Sequence, residues 1–204
     1  MSTPLTVIIT HPHCIAGEAA TIEALLDAGA DVVHIRKPDW DAEKVAQLIG
    51  QVDGQYHQRL CVHYHHPLGH RFALGGMHYS YRDMPAIVSN EHRVSVSCHT
   101  MVEATHCIGK CNYLFLSPVF NSISKQGYEA AFNNDELKQY LMTTSSTTPI
   151  LALGGVSVQT APMARQLGFK GMALLGSAWV ITDRGLDAAA SANQLNQIKA
   201  AWNQ

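Results

Sequence analysis

The chain has 204 residues, 47% of them hydrophobic and 15% charged, enough apolar material for one sizeable core and a single domain over residues 1–204. A formal net charge of −2, with 12 histidines counted as neutral, excludes a general field for nucleic acid or an anionic membrane surface. No apolar run reaches the roughly 18 residues that span a bilayer, and the opening MSTPLTVIIT has neither a basic region nor a small-residue cleavage site, so no leader is expected.

In chain order, TVIIT (6–10) predicts a first strand and GEAATIEALLDAG (17–29) a helix that stops at Gly29. VVHIR (32–36) predicts a second strand, and DAEKVAQLIGQV follows as a helix with an aspartate N-cap and an acidic first turn. LCVHY (60–64) and GMHYS (76–80) are the third and fourth strands, each followed by a short, weak crossover. RVSVS (93–97), the helix TMVEATHCIG and YLFLS (113–117) come next, then the helix NDELKQYLM and a polar connector, TTSSTTP (143–149). ILALG (150–154), the helix SVQTAPMARQLG, GMALL (171–175) and a last helix, LDAAASANQLNQIKAAW, complete the series. Short runs rich in Val, Ile and Leu fit parallel strands buried on both faces. Eight such units in order predict an α/β protein, a single (β/α)8 TIM barrel, with an open doubly wound sheet as the alternative. Five cysteines (Cys14, Cys61, Cys98, Cys107, Cys111) form no CxxC and sit largely in apolar segments, which suits free thiols in a reducing, cytoplasmic compartment.

In a barrel of this kind the loops after the strands gather at one mouth. His11 and His13, residues 34–38, 63–66, 78–83, 97–99 and 117–125, and the glycines of the last two strands are therefore expected to converge. LGGVS (153–157) and LLGSAW (174–179) offer close backbone approach to an anion, with following helix N-termini expected to add a positive dipole end. That makes Gly154, Gly155, Gly176 and Ser177 phosphate-site candidates. Ser122, Ser124 and Lys125, after the sixth strand, suit a second anionic group or a leaving diphosphate. Arg36 ends a buried strand, where a guanidinium needs an anionic partner, from a carboxylate or a ligand. In HYHH (63–66), His63 and His65 share a face only while the strand continues, and no zinc-ligand spacing supports a metal reading. Tyr64, Tyr79 and Tyr81 fit equally the walls of a heterocycle pocket or packing at the mouth.

The stretches VVHIRKP, GMHYSYRDMP, VSVSCHTMVEA, CNYLFLSPVFNSISKQGY, PILALGGVS and GFKGMALLGSAW together resemble the thiamine phosphate synthase family, which also contains thiazole tautomerases. The strand-six stretch, similar to the family's G-P-x-[FY]-x-T-x-T-K, carries the resemblance furthest, and the likeness covers nearly the whole chain. It implies a barrel, commonly dimeric and so a homodimer, that joins hydroxymethylpyrimidine diphosphate to thiazole phosphate. Thiamine phosphate and pyrophosphate are the products, with Mg²⁺ assistance. By the resemblance, Gly154, Gly155, Gly176 and Ser177 hold the thiazole phosphate, and Ser122 and Ser124 replace loop threonines. Lys125, Arg36 and Ser97 grip the diphosphate, and Asp83 is one of two metal-binding aspartates.

The pattern also departs from the family's. N-D-[RD] after strand three reads HYH, so Tyr64 stands for the second metal aspartate and His63 for the asparagine. Q-x-R-x-K reads HIRKP, so His34 replaces glutamine and Pro38 a phosphate-binding lysine; Lys37 points elsewhere by strand parity. One carboxylate fewer implies a weakened Mg²⁺ site. The HIR of this chain is similar to the tautomerase branch, yet that branch's strand-six histidine falls at Pro118, leaving His34, His63, His78 and His99 as proton-transfer candidates. Synthase-type transfer is the leading expectation. Thiazole tautomerisation and a non-catalytic, regulatory binder of thiamine or thiazole phosphate are the alternatives.

Overall fold

The computed structural model describes residues 4–86, 91–121, 131–144 and 147–204. Eight parallel strands close into a barrel in sequence order: β1 Leu5–Ile9, β2 Val32–Ile35, β3 Leu60–His63, β4 Gly76–Ser80, β5 Arg93–Cys98, β6 Tyr113–Leu116, β7 Ile150–Leu153 and β8 Gly171–Leu174. Each expected strand lies within one or two residues of its observed bounds. The closed ring, in which β8 pairs back on β1, rules against the open sheet. The seam is tight: a Cβ on Gly171 would sit 2.1 Å from the Leu5 carbonyl oxygen, so only glycine lets these backbones pair. Across the same seam the buried indole of Trp179 donates to the Ile9 carbonyl at 2.8 Å.

The helices are α1 Glu18–Asp27, α2 Ala42–Gln51, α3 Pro67–Arg71, α4 Met101–Cys107, α5 Asn134–Thr143, α6 Ala161–Leu167 and α7 Ala188–Trp202. Local chemistry sets their starts. Asp41 caps α2 by accepting from the Lys44 N–H, Asn133 caps α5, and Asp187 caps α7 by accepting from the Ala190 N–H. The crossover after β3 is the five-residue α3, and that after β4 begins with a single 3-10 turn, Tyr81–Asp83. Two expectations are corrected. Helix α6 begins at Ala161, not at Ser157, because the Ser157 and Thr160 hydroxyls bond within their own loop and hold a turn there. A small antiparallel hairpin, β9 Ile181–Thr182 with β10 Gly185–Leu186, separates β8 from α7. Among the described residues no helix is long and apolar enough to cross a membrane.

Strand alternation divides the core in two. Outward residues such as Ile8, Val33, Ile35, Val62 and Leu114 pack with Leu25, Ile49 and Leu195 of the helices. Inward residues form a separate interior cluster with Val7, Ile9, Phe115, Leu151 and Ala173. The inward positions of β2 to β6 also carry polar groups: His34, His63, His78, Ser95 and Ser97, besides Tyr113. One half of the lumen is therefore polar and the half formed by β7, β8 and β1 is apolar. The thiols are all free, with Cys61, Cys98 and Cys107 buried and Cys14 exposed.

Candidate functional site

A cavity of about 640 Å³ opens at the carboxyl ends of the strands, where a barrel of this architecture places its ligands. A larger depression, about 1290 Å³, lies elsewhere, against Arg93 and Asn112 at strand beginnings and His106 and Cys107 of α4. The first is the better candidate because its walls combine polar groups from several strand ends. Among its described lining residues, Arg36 is the one permanent cation and Asp83 the one carboxylate.

Arg36 follows β2 directly. Its N–H donates to the Thr10 hydroxyl at 2.8 Å, and that hydroxyl donates back to the Arg36 carbonyl at 3.2 Å, which fixes the backbone that carries the guanidinium. No carboxylate among the described residues pairs with Arg36, so its half-buried charge faces the cavity. Lys37 turns the other way, as strand parity requires. It is fully buried outside the barrel, bonded to both carboxylate oxygens of Glu18 at 2.6 and 2.7 Å and to the His11 and His13 carbonyls. His11 and His13 hold that lysine through their backbone, and their side chains do not line the cavity.

Tyr64 leaves β3 with φ of +57° and is 46% exposed at the rim. Tyr79 also lines the cavity; Tyr81 does not, its hydroxyl bonding the His106 ring on the barrel's side. Asp83 accepts from the Ser80 hydroxyl, and both reach the cavity wall. The start of α4 positions His99: the Glu103 carboxylate accepts from the His99 N–H while the Thr100 hydroxyl accepts from the Glu103 N–H. Because the Ser117 carbonyl can only accept, the His99 Nδ1 that meets it at 3.1 Å carries a proton.

The floor is built from histidines. His34 Nδ1 meets His63 Nε2 at 2.8 Å and His34 Nε2 meets the Tyr113 hydroxyl at 2.7 Å. His78 spans the Ser95 and Ser97 hydroxyls at 2.8 and 2.7 Å. His63 and His78 stack with ring centres 4.0 Å apart, and both line the cavity. His34 does not: the structure puts it beneath His63, with no exposure, so it reaches a ligand only through that neighbour. Burial holds all three rings far below the ordinary imidazole range, His78 down to about 3, with the neighbouring charges of His78 and His66 adding to the effect. Their nitrogens lie within 4.8 Å of one another, yet five of the six ring nitrogens are engaged in hydrogen bonds within the protein, which favours a hydrogen-bonded core over a metal site.

Opposite stand Gly154 and Gly155, at φ of +95° and +65°, with Gly176 and Ser177. The Thr160 hydroxyl donates to the Gly155 carbonyl at 2.7 Å, and the Phe120 N–H donates to the Gly154 carbonyl at 3.1 Å. This pins the β7 loop against the β6 loop. A Cβ on Gly155 would lie 2.4 Å from the Asn121 carbonyl oxygen. Gly155→Ala is therefore expected to cost more than about 1 kcal/mol in urea titration, and an unchanged midpoint would show the loop to be pliable. The helix N-termini expected behind these loops are not there. The chain turns through Ser157–Thr160 before α6, and the hairpin intervenes before α7. Ser122, Ser124 and Lys125 lie outside the described residues. Sequence reading missed Ser95 and Tyr113, which the inward parity of β5 and β6 marks once His78 is known to face inward.

A closed α/β barrel whose mouth joins a cationic and carboxylate wall to a glycine loop defines a TIM-barrel protein with a small-ligand site. The family model described as thiamine monophosphate synthase matches residues 6–178, and the chain belongs to that family. A thiamine-phosphate synthase of Klebsiella pneumoniae is 26% identical over 199 residues, covering 93% of this chain and 92% of that protein. One from Prochlorococcus marinus is 23% identical over 82% of this chain, which spans only 49% of that relative's length. Among solved structures, thiamine phosphate pyrophosphorylase from Bacteroides thetaiotaomicron superposes with a TM-score of 0.80 at 27% identity, covering 97% of both chains. The corresponding protein from Pyrococcus furiosus, at 16% identity and a TM-score of 0.77, shares the fold.

Proposed function

We propose that this chain, as a single-domain cytoplasmic enzyme, joins hydroxymethylpyrimidine diphosphate to thiazole phosphate, giving thiamine phosphate and pyrophosphate. The observation that carries the reading is the split cavity: Arg36, Ser97 and Asp83 on one wall, Gly154, Gly155, Gly176 and Ser177 on the other. Two anionic groups on two heterocycles need such a pair of walls. The bond between the pyrimidine methylene carbon and the diphosphate oxygen breaks with its electrons going to oxygen. The thiazole nitrogen lone pair then forms the new carbon–nitrogen bond. No nucleophile on the protein is required, so the work is positioning and neutralising the leaving group.

In this reading Arg36 grips the diphosphate as a fork, Ser97 donates a hydroxyl to it, and Lys125 adds a second cation. Backbone N–H groups of the glycine loops and Ser177 take the thiazole phosphate, with Ser122 and Ser124 beside it. His63 and His78 form the floor beneath the heterocycles, with His34 supporting His63. Mg²⁺ would be held by Asp83, steadied by Ser80, and it would supply charge neutralisation on the diphosphate. With Tyr64 in place of a second carboxylate, the donor set suits a weakly held ion that depends on substrate oxygens.

The test is pyrophosphate release from the two substrates with Mg²⁺. Arg36→Ala is expected to lower kcat/KM by about 10²–10³, the size of losing one charge-stabilising group, with Lys125→Ala and Asp83→Ala falling comparably. Binding of both substrates with no pyrophosphate released by the wild-type chain would overturn the reading.

A further inference from the structure

His63 is only 7% exposed, yet it lines the cavity, and its Nδ1 is the one nitrogen of the histidine floor with no hydrogen bond among the described residues. Whether that atom meets a ligand as donor or as acceptor is set behind it. His34 Nδ1 meets His63 Nε2 at 2.8 Å, and His34 Nε2 meets the Tyr113 hydroxyl at 2.7 Å. Among the described residues that hydroxyl makes no other hydrogen bond. We infer that Tyr113, acting through His34, holds His63 with its proton on Nδ1, so that the floor presents a neutral N–H donor to the cavity and takes a heterocycle with an unprotonated ring nitrogen.

A phenol has one proton to give, and a neutral imidazole has one proton and one lone pair. Burial keeps the Tyr113 phenol protonated and both rings neutral. Two directions are then open. In one, the Tyr113 O–H donates to His34 Nε2, the His34 Nδ1–H donates to His63 Nε2, and His63 turns an Nδ1–H toward the cavity. Every proton inside the lumen then has an acceptor, and the last one finds a ligand or water. In the other, both donations reverse and the Tyr113 proton is left in the lumen without an acceptor, a desolvation cost that a cavity-facing atom escapes. The first direction wins. A ring nitrogen with a free lone pair accepts from His63, whereas a protonated one would set N–H against N–H. The inference rests on the transfer reading for its use: positive charge develops on the pyrimidine as diphosphate departs. An imidazolium beneath it would oppose that charge, and a neutral donor holds the ring without adding to it.

¹⁵N spectra of the histidine rings test the direction in the ligand-free protein. In the wild type, His34 and His63 are both expected with a proton on Nδ1 and a bare Nε2. Tyr113→Phe removes the proton that sets the order, and His63 is then expected to become a mixture of its two tautomers. Should that variant not fold, the His34 pattern of the wild type reads the direction by itself. A wild-type proton on Nε2 of either ring, or a His63 pattern unchanged in Tyr113→Phe, overturns the proposal. Recognition is read by titrating the wild type with 4-aminopyrimidine and with aniline, which keeps the amine and lacks the ring nitrogens. The pyrimidine is expected to bind about threefold to tenfold more tightly, the size of one neutral hydrogen bond, and to move the His63 Nδ1 signal. Equal affinity, an unmoved His63 signal or no binding of either compound also overturns it. Neither measurement involves turnover, so a wild-type chain that releases no pyrophosphate defeats the transfer reading alone.

Discussion

Unfolding in urea is expected to become on the order of 5 kcal/mol easier when the pH is lowered from 7 to 5. His34, His63 and His78 are buried and held neutral, with pKa values far below the ordinary 6.5 because burial penalises the imidazolium. A folded pKa below the unfolded value means that the unfolded chain binds more protons as the pH falls through 6.5. The stability these rings contribute is therefore present above that pH and lost beneath it. Each ring accounts for about 1.4 kcal/mol per pH unit once the unfolded form titrates, or about 2 kcal/mol per ring across this span. Glu18 acts in the opposite sense, since burial raises its carboxyl despite the Lys37 ammonium beside it. Its folded form holds a proton more readily, which favours folding just above the ordinary carboxylate range. One such group does not offset three. The check is a series of urea midpoints between pH 7 and 5; a flat series would mean that the rings are protonated in the folded lumen.

Lys37→Met is expected to cost about 3–5 kcal/mol, the penalty for stranding a buried charge. The Lys37 ammonium is enclosed by both Glu18 oxygens and the His11 and His13 carbonyls, with Trp40 ring atoms centred 4.7 Å away. Removing it leaves the carboxylate of Glu18 in apolar surroundings and unties the β1 loop. The double substitution Lys37→Met with Glu18→Leu removes both charges and is expected to recover most of the loss, because desolvation had offset much of the pair's attraction. Chemical denaturation of the two variants decides it. A single substitution costing under about 1 kcal/mol would show that Glu18 finds water or takes up a proton.

The barrel was legible because its strands are short, largely apolar runs separated by turn signals, so composition and length both point to strand. The ends of α6 and the small hairpin were not. There, hydroxyl-to-backbone bonds at Ser157 and Thr160 and a two-residue pairing decide the path, and neither leaves a periodic trace. Lys37 was placed correctly by parity alone. Arg36 was expected at a strand end, and the structure adds that its charge faces the cavity with no paired carboxylate among the described residues. The same parity extended across β2 to β6 marks His34 as a lumen residue; its side chain was read instead as a mouth group, because residues 34–38 together read as the end of the strand. The pairing of Tyr113 with His34 joins positions 79 residues apart, a contact that depends on barrel closure and that no local spacing encodes.

The indole of Trp179, shielded from water and bonded to a carbonyl on the first strand, gives the molecule an internal optical reporter. Its emission should move to the red when the ends of the ring part, while local fraying of distant loops leaves the colour unchanged. Because that group also lies two residues beyond Ser177, the same signal should respond to a ligand seated in the last turn, so folding and occupancy are readable in one spectrum.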